Sequence, residues 1–149
     1  MSKATQRQIV AEISPTLNVP GHVSGPNFQK YFASVSGGEI SASVEKVFDG
    51  NSTFPETLCA PSEISDITVM RYYDPEEDTA RLNSLRQLVG STYYDLAIYT
   101  LNCDLKDPAS ERVYPKALLV GLSDIDGDAA SGAPTSFSLT FAISTVAAA

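Results

Sequence analysis

The most regular pattern lies near the end of the chain, where Phe137, Leu139, Phe141 and Ile143 alternate with Ser136, Ser138, Thr140, Ala142 and Ser144. A period of two is what a strand with one buried face requires, since successive side chains point to opposite sides. It predicts a strand with an apolar core face and a face of small polar groups. A second alternation starts at Gly38, with Ile40, Ala42 and Val44 set against Glu39, Ser41, Ser43 and Glu45, and closes with Val47-Phe48 before Asp49-Gly50. It predicts another half-buried strand. The segments Ile64 to Tyr73, Thr92 to Cys103 and Val113 to Leu122 are dense in β-branched and aromatic residues and predict three more, with Asp107-Pro108 as a turn between the last two.

One segment has helical spacing. Asp74 is placed to cap it, Pro75 suits the first helical position, and Glu77 stands where a capping box closes. Glu76, Glu77 and Asp78 face the positive end of the helix dipole, Arg81 and Arg86 follow, and Leu82, Leu85, Leu88 and Val89 form one apolar stripe before Gly90. The spacing predicts a helix over 75–89. Residues 49–63, with Asp49, Gly50, Asn51, Phe54, Pro55 and Pro61, read as a long loop. Residues 1–27 are punctuated by Pro15, Pro20, Gly21, Gly25 and Pro26 and read as an N-terminal arm. Its apolar residues Ile9, Val10, Ile13 and Leu17 would gain by packing on something, a neighbouring subunit being one candidate. The order of strand, strand, helix and three strands predicts a mainly β fold, a β-sandwich flanked by one α-helix, as a single domain over 28–149.

Composition narrows the function. A chain of 149 residues fits one domain, and ten Lys+Arg against 18 Asp+Glu give a net charge of -8. That balance disfavours a module that neutralises phosphates. No apolar run approaches the ~20 residues of a membrane span, and no leader-like segment opens the chain, so a soluble protein without membrane partners is expected. The two cysteines, Cys59 and Cys103, are too far apart for a CxxC site and are expected to be reduced, buried thiols. A His-based triad would have only His22 to build on.

The remaining chemistry is sparse. Asp124-Ile125-Asp126-Gly127-Asp128 opens like a Ca²⁺ loop, but Thr135 stands where the bidentate Glu is needed, which leaves a solvated acidic turn and no metal. Glu39 and Glu45 lie about 20 Å apart along a strand, too far for an acid/base pair. Tyr72, Tyr73, Tyr93, Tyr94 and Tyr99 could stack on a sugar, which keeps a small-ligand or carbohydrate-binding sandwich open, and a hydrolase using the acidic loop is a third possibility. No cofactor motif is present.

Several segments in order resemble the major tail tube proteins of long-tailed, siphovirus-like bacteriophages. They are Gly37-Gly38-Glu39-Ile40 through Val44-Glu45-Lys46-Val47-Phe48-Asp49-Gly50; Ile67-Thr68-Val69-Met70-Arg71-Tyr72-Tyr73-Asp74-Pro75 through Val89-Gly90; Tyr114-Pro115-Lys116-Ala117-Leu118-Leu119; and Ser138-Leu139-Thr140-Phe141. Together they span His22 to Val146. The resemblance implies a non-enzymatic virion protein, made in the host bacterial cytoplasm, that forms hexameric rings stacked into a tail tube. Strands from the subunits would complete an inter-subunit β-barrel of about 24 strands, wide enough to leave an aqueous channel. Glu39, Ser41, Ser43, Glu45, Ser136, Ser138, Thr140 and Ser144 would line a negatively charged lumen through which genome DNA passes without sequence-specific binding. The loop 49–63 would reach an adjacent ring, and the arm would brace a neighbour. Partners would be further copies of the chain and other tail proteins: tape measure, tail terminator and distal tail protein. No C-terminal decoration is expected, since the chain ends in Ala147-Ala148-Ala149. The tube of a contractile injection system and a tail-terminating ring are built alike and remain alternatives.

Overall fold

The structure is a computed structural model that describes residues 3–16, 20–21, 24–28, 31–51, 53–105, 108–125 and 127–144, with the backbone alone for 108–110. The strands are β1 (Ile9–Pro15), β2 (Ser34–Gly37), β3 (Ile40–Ala42), β4 (Lys46–Val47), β5 (Glu56–Thr57), β6 (Ser62–Ile64) and β7 (Ile67–Tyr72), followed after helix α1 (Pro75–Leu88) by β8 (Tyr93–Leu101), β9 (Pro108–Ser123) and β10 (Ser136–Ala142).

The alternation in β10 works as its sequence requires. Phe137, Leu139 and Phe141 are buried, and they sit opposite Arg71, Val69 and Ile67 of β7, whose buried residues share the same side. Six strands form one antiparallel sheet in the order β1-β8-β9-β10-β7-β2. Its two ends meet where Ala11 and Phe32 exchange N–H···O bonds of 3.0 and 2.7 Å. One sheet therefore curls around the core, and the two layers of the sandwich are its two halves. Ile13, Leu96, Tyr94, Leu119 and the β7 and β10 residues fill the interior with Phe28 and Phe32.

Helix α1 starts at Pro75 behind the Asp74 cap as its sequence predicts, but the carboxylate that reaches back to the cap N–H is that of Asp78, in the role expected of Glu77. The Asp74 carboxylate accepts the Glu76 N–H at 3.1 Å, and the Asp78 carboxylate accepts the Asp74 N–H at 3.0 Å, which satisfies donors the first turn would otherwise leave open. Leu82 and Leu85 join the core, while Val89 at the C-cap is exposed.

The β8–β9 ladder carries a bulge between Tyr94 and Leu96. There Lys116 takes φ 51°, a left-handed conformation costly for a residue with a Cβ. Asp95 holds it by accepting the Lys116 N–H at 3.1 Å and the Thr16 hydroxyl at 2.8 Å on one oxygen. Lys116→Gly is expected to raise stability by about 0.5–1 kcal/mol in urea unfolding, the relief of φ outweighing the added chain entropy. An unchanged midpoint would show that the bulge holds lysine without strain.

Three expectations need correction. Residues 9–15 of the expected arm are strand β1, with Ala11 and Ile13 fully buried, because the backbone pairs with β8 and these side chains enter the chain's own core. Leu17 and His22 lie outside the described residues. The strand expected after Gly38 is two short strands, β3 and β4, in a hairpin whose return limb, β5 and β6, takes up part of the expected loop and Ile64, which was expected to open the next strand. None of its described residues from 39 to 66 is buried, and Ile40 and Phe48 are 66% and 64% exposed, so the alternation there marks no core face. Cys59 and Cys103 are exposed free thiols rather than buried ones. Asp107 of the expected turn lies outside the described residues, and Pro108 already belongs to β9.

Candidate functional site

The outward face of the sheet holds the arrangement of greatest interest. Along β10, Ser136, Ser138, Thr140 and Ala142 alternate with the buried aromatic and leucine residues and are half-buried. Cross-strand registry extends this face over four neighbouring strands. One row runs Ser34, Met70, Ser138, Ser123, and the next runs Ser36, Thr68, Thr140, Gly121. The Thr68 and Thr140 hydroxyls are hydrogen-bonded at 3.2 Å, either one able to donate. At Gly121 a Cβ would stand 3.3 Å from Thr140 Cβ, so glycine keeps the row flat. Neither row contains a charged side chain.

The face ends in open backbone on both sides. The β8 ladder leaves β9 at Leu118, after which the Leu119 N–H donates to Thr92 and the Leu119 carbonyl accepts from Gly90. Among the described residues, Val120 to Ser123 then have β10 as their only ladder partner. On the far side, β2 pairs with β7 alone.

The expected channel set divides. Ser136, Ser138 and Thr140 belong to this face, and Ser144 is exposed just beyond the end of β10. Glu39, Ser41, Ser43 and Glu45 stand on the exposed hairpin, in or beside two separate two-stranded sheets. Glu39 is fixed there by its N–H to the Ser65 hydroxyl at 2.9 Å, and the Glu45 carbonyl accepts the Leu58 N–H at 2.8 Å. The structure thus separates the small neutral residues from the carboxylates. Of the expected inter-ring residues, Asp49, Gly50, Asn51 and Phe54 are exposed at the hairpin tip, Pro55 is half-buried, and Pro61 is exposed before β6.

Sequence reading missed Ser34, Ser36, Thr68, Met70 and Ser123 on this face. The period-two signal was present in β7, where Thr68, Met70 and Tyr72 alternate with Ile67, Val69 and Arg71, but an arginine on the core side conceals it.

The rival sites do not assemble. Tyr94 is buried edge-on against Phe141, and its hydroxyl donates to the Pro26 carbonyl at 2.8 Å, with burial pushing the phenol well above its usual range. Tyr73 bonds Thr79, Tyr99 meets Tyr31 edge-on, and Tyr72 is exposed, so the tyrosines form no common stacking platform. In the acidic turn, Asp124 accepts from Arg86 Nε at 2.8 Å and Asp128 from the Ala130 N–H at 3.0 Å. The Ile125 N–H first, and Arg86 after it, hold the Asp124 carboxyl below its usual range. Asp126 lies outside the described residues, and among those described no group of three acidic, His or Cys side chains could hold a metal. Among the described residues no helix is long and apolar enough to cross a membrane.

The fold as a whole has solved counterparts. A chain of the PVC sheath–tube complex of an extracellular contractile injection system, in the extended state, superposes with a TM-score of 0.70 at 19% identity, covering 97% of this chain and 90% of the other. The fold is shared with chains of contractile injection assemblies. A chain of the anti-feeding prophage baseplate gives 0.72 at 16% identity over 99% and 95%, and one from the PVC sheath/tube terminator gives 0.69 at 21% identity over 99% and 96%. The sequence matches no family model and no curated protein, so the likeness is one of fold. The PVC chains come from contractile injection systems, the alternative the sequence left open beside the tubes of siphovirus-like tails.

Proposed function

We propose that this protein is the structural, non-enzymatic subunit of a tail or injection tube, built on the contractile pattern and assembled from stacked rings of identical copies. The observation that carries this is the uncharged four-strand face between two open edges, set in a fold shared with chains of sheath–tube complexes. Sheets with unpaired edges tend to extend by pairing with another chain. Because β2 and β9 run antiparallel to each other, head-to-tail addition of copies preserves antiparallel alternation, and a rotation that closes gives a ring. Six copies would supply the barrel of about 24 strands expected from the sequence.

Inside such a barrel the rows through Ser138 and Thr140 would face the channel. Lacking lysine and arginine, they give phosphates nothing to pair with, so DNA or another charged cargo would slide without being held. This neutral lining replaces the acidic one expected from Glu39 and Glu45. Partners would be further copies, a sheath and a terminating cap, with tape-measure and distal tail proteins if the assembly is a virion tail.

Electron microscopy of the full chain across a concentration series is expected to show rings or hollow tubes. In a Cys59→Ser, Cys103→Ser background, Ser138→Cys should react with a small maleimide in assembled protein but resist one carrying a bulky polymer. Monomer at every concentration in sedimentation would overturn the tube reading. Equal labelling by both reagents would move the channel to another face.

A further inference from the structure

Charge is unevenly placed in this molecule. The hairpin between residues 39 and 66 carries Glu39, Glu45, Asp49, Glu56, Glu63 and Asp66 against one cation, Lys46, and so holds more than half of the net charge of -8. It also exposes Ile40, Val44, Val47, Phe48 and Leu58. An apolar and acidic arm of this kind is poorly accounted for as a solvent face.

A complementary surface lies at the seam of the curled sheet. Beyond the single bridge from Ala11 to Phe32, β1 and β2 part, opening a groove of about 560 Å³ lined by Gln6, Arg7, Ile9, Ala33, Ser34 and Val35. Arg7 and Ile9 of this lining are exposed, and Lys3, exposed as well, precedes Arg7 by one turn's length of sequence. The groove offers cationic and apolar groups together, as the arm offers anionic and apolar ones. Its β2 wall stops at Val35, so Ser36 and Gly37 lie outside the groove and remain open to a lateral neighbour.

We propose that this groove receives the acidic arm of a second copy, with the β4–β5 limb bringing Glu45 and Glu56 toward Lys3 and Arg7. The proposal rests on the tube reading and adds to it the receiving surface and the charge match that sets register between copies. It assigns Glu45 to an interface and not to the channel. Charge complementarity of this kind fixes orientation and speeds encounter more than it adds affinity, so its signature is salt sensitivity and rescue by charge exchange.

The test is a charge-exchange cycle on the full chain, followed by sedimentation and microscopy, with circular dichroism and thermal melting as the check on folding. Lys3→Glu with Arg7→Glu is expected to raise the concentration needed for assembly about tenfold or more, and Glu45→Lys with Glu56→Lys to do the same. All four substitutions in one chain should restore it to within about threefold of the parent. The parent itself should assemble less readily as salt rises from 0.1 to 1 M, where screening shortens from about 10 to about 3 Å. If the groove variant assembles like the parent, or the fourfold variant is no better than either pair, the docking proposal is wrong while the tube reading stands. A groove pair that fails without rescue by the arm pair would point to a different partner for Arg7. A parent that never assembles overturns both.

Discussion

Asp78→Ala is expected to lower stability by about 3–5 kcal/mol, the cost of taking a paired carboxylate away from a buried guanidinium. Asp78 is fully buried, pairs with Arg71, accepts the Asp74 N–H at 3.0 Å and has Arg81 at 3.8 Å. Arg71 is itself buried, with the ring centroids of Phe28, Phe32 and Phe137 at 5.3, 5.0 and 5.6 Å. Those rings favour a cation but cannot replace a carboxylate that neutralises it and takes its hydrogen bond. Removing Asp78 therefore leaves a charge in the core and also frees a donor at the helix start.

The paired change Arg71→Met with Asp78→Leu should cost much less than the single one, since it leaves neither charge uncompensated. Denaturant unfolding with an unchanged m-value would read both. A single-substitution cost under about 1 kcal/mol would mean that water reaches the pair. The consequence for the proposed channel is direct. Arg71 lies opposite Phe137 in the ladder, and the strand that buries Phe137 presents Ser136 and Ser138 on its other side.

Arg71 also shows where sequence reading was bound to stop. Local pattern disclosed β10 and α1 because their side-chain period and capping residues act within one element. Nothing local says that an arginine at a core position of β7 will find a helix carboxylate seven residues on. The hairpin misled for the opposite reason: Ile40, Ala42 and Val44 have a strand's period, yet burial depends on what covers the face, and among the described residues β3 belongs to a two-stranded sheet with β6, apart from the core. Val10 and Ile13 were read correctly as anchors while Ile9 is exposed, and the partner strand was the chain's own β8, where Val10 meets Tyr99 and Ile13 meets Leu96, a pairing far away in sequence that no local signal carries. For the site, the serines of β10 were legible and their companions on β2, β7 and β9 were not. A cross-sheet row is a property of registry, and registry is fixed only when strands pair.

The second large effect is expected at the root of the hairpin. Gly37 and Gly38 have φ of 94° and 78°, in the left-handed region, and a Cβ on Gly37 would overlap the Asp66 carbonyl oxygen. Gly37→Ala should cost about 1–2 kcal/mol for the backbone conformation and about 1–3 for the overlap, because a backbone atom cannot swing aside as a side chain would. This glycine pair is where β2 ends and the chain departs into the arm, and the arm's base is tied by the Ser65 N–H to the Glu39 carbonyl at 2.9 Å. The strain thus falls where the direction of the arm is set. Gly50→Ala, at the tip with open space around it, should stay within about 0.5 kcal/mol and serves as the control. Thermal melting and microscopy of both variants separate two ways of relieving the overlap. A lowered melting temperature with normal rings would mean that the sheet absorbs it. A parental melting temperature with assembly lost would mean that the arm has swung out of line, which ties ring formation to the arm's direction and not to its composition alone.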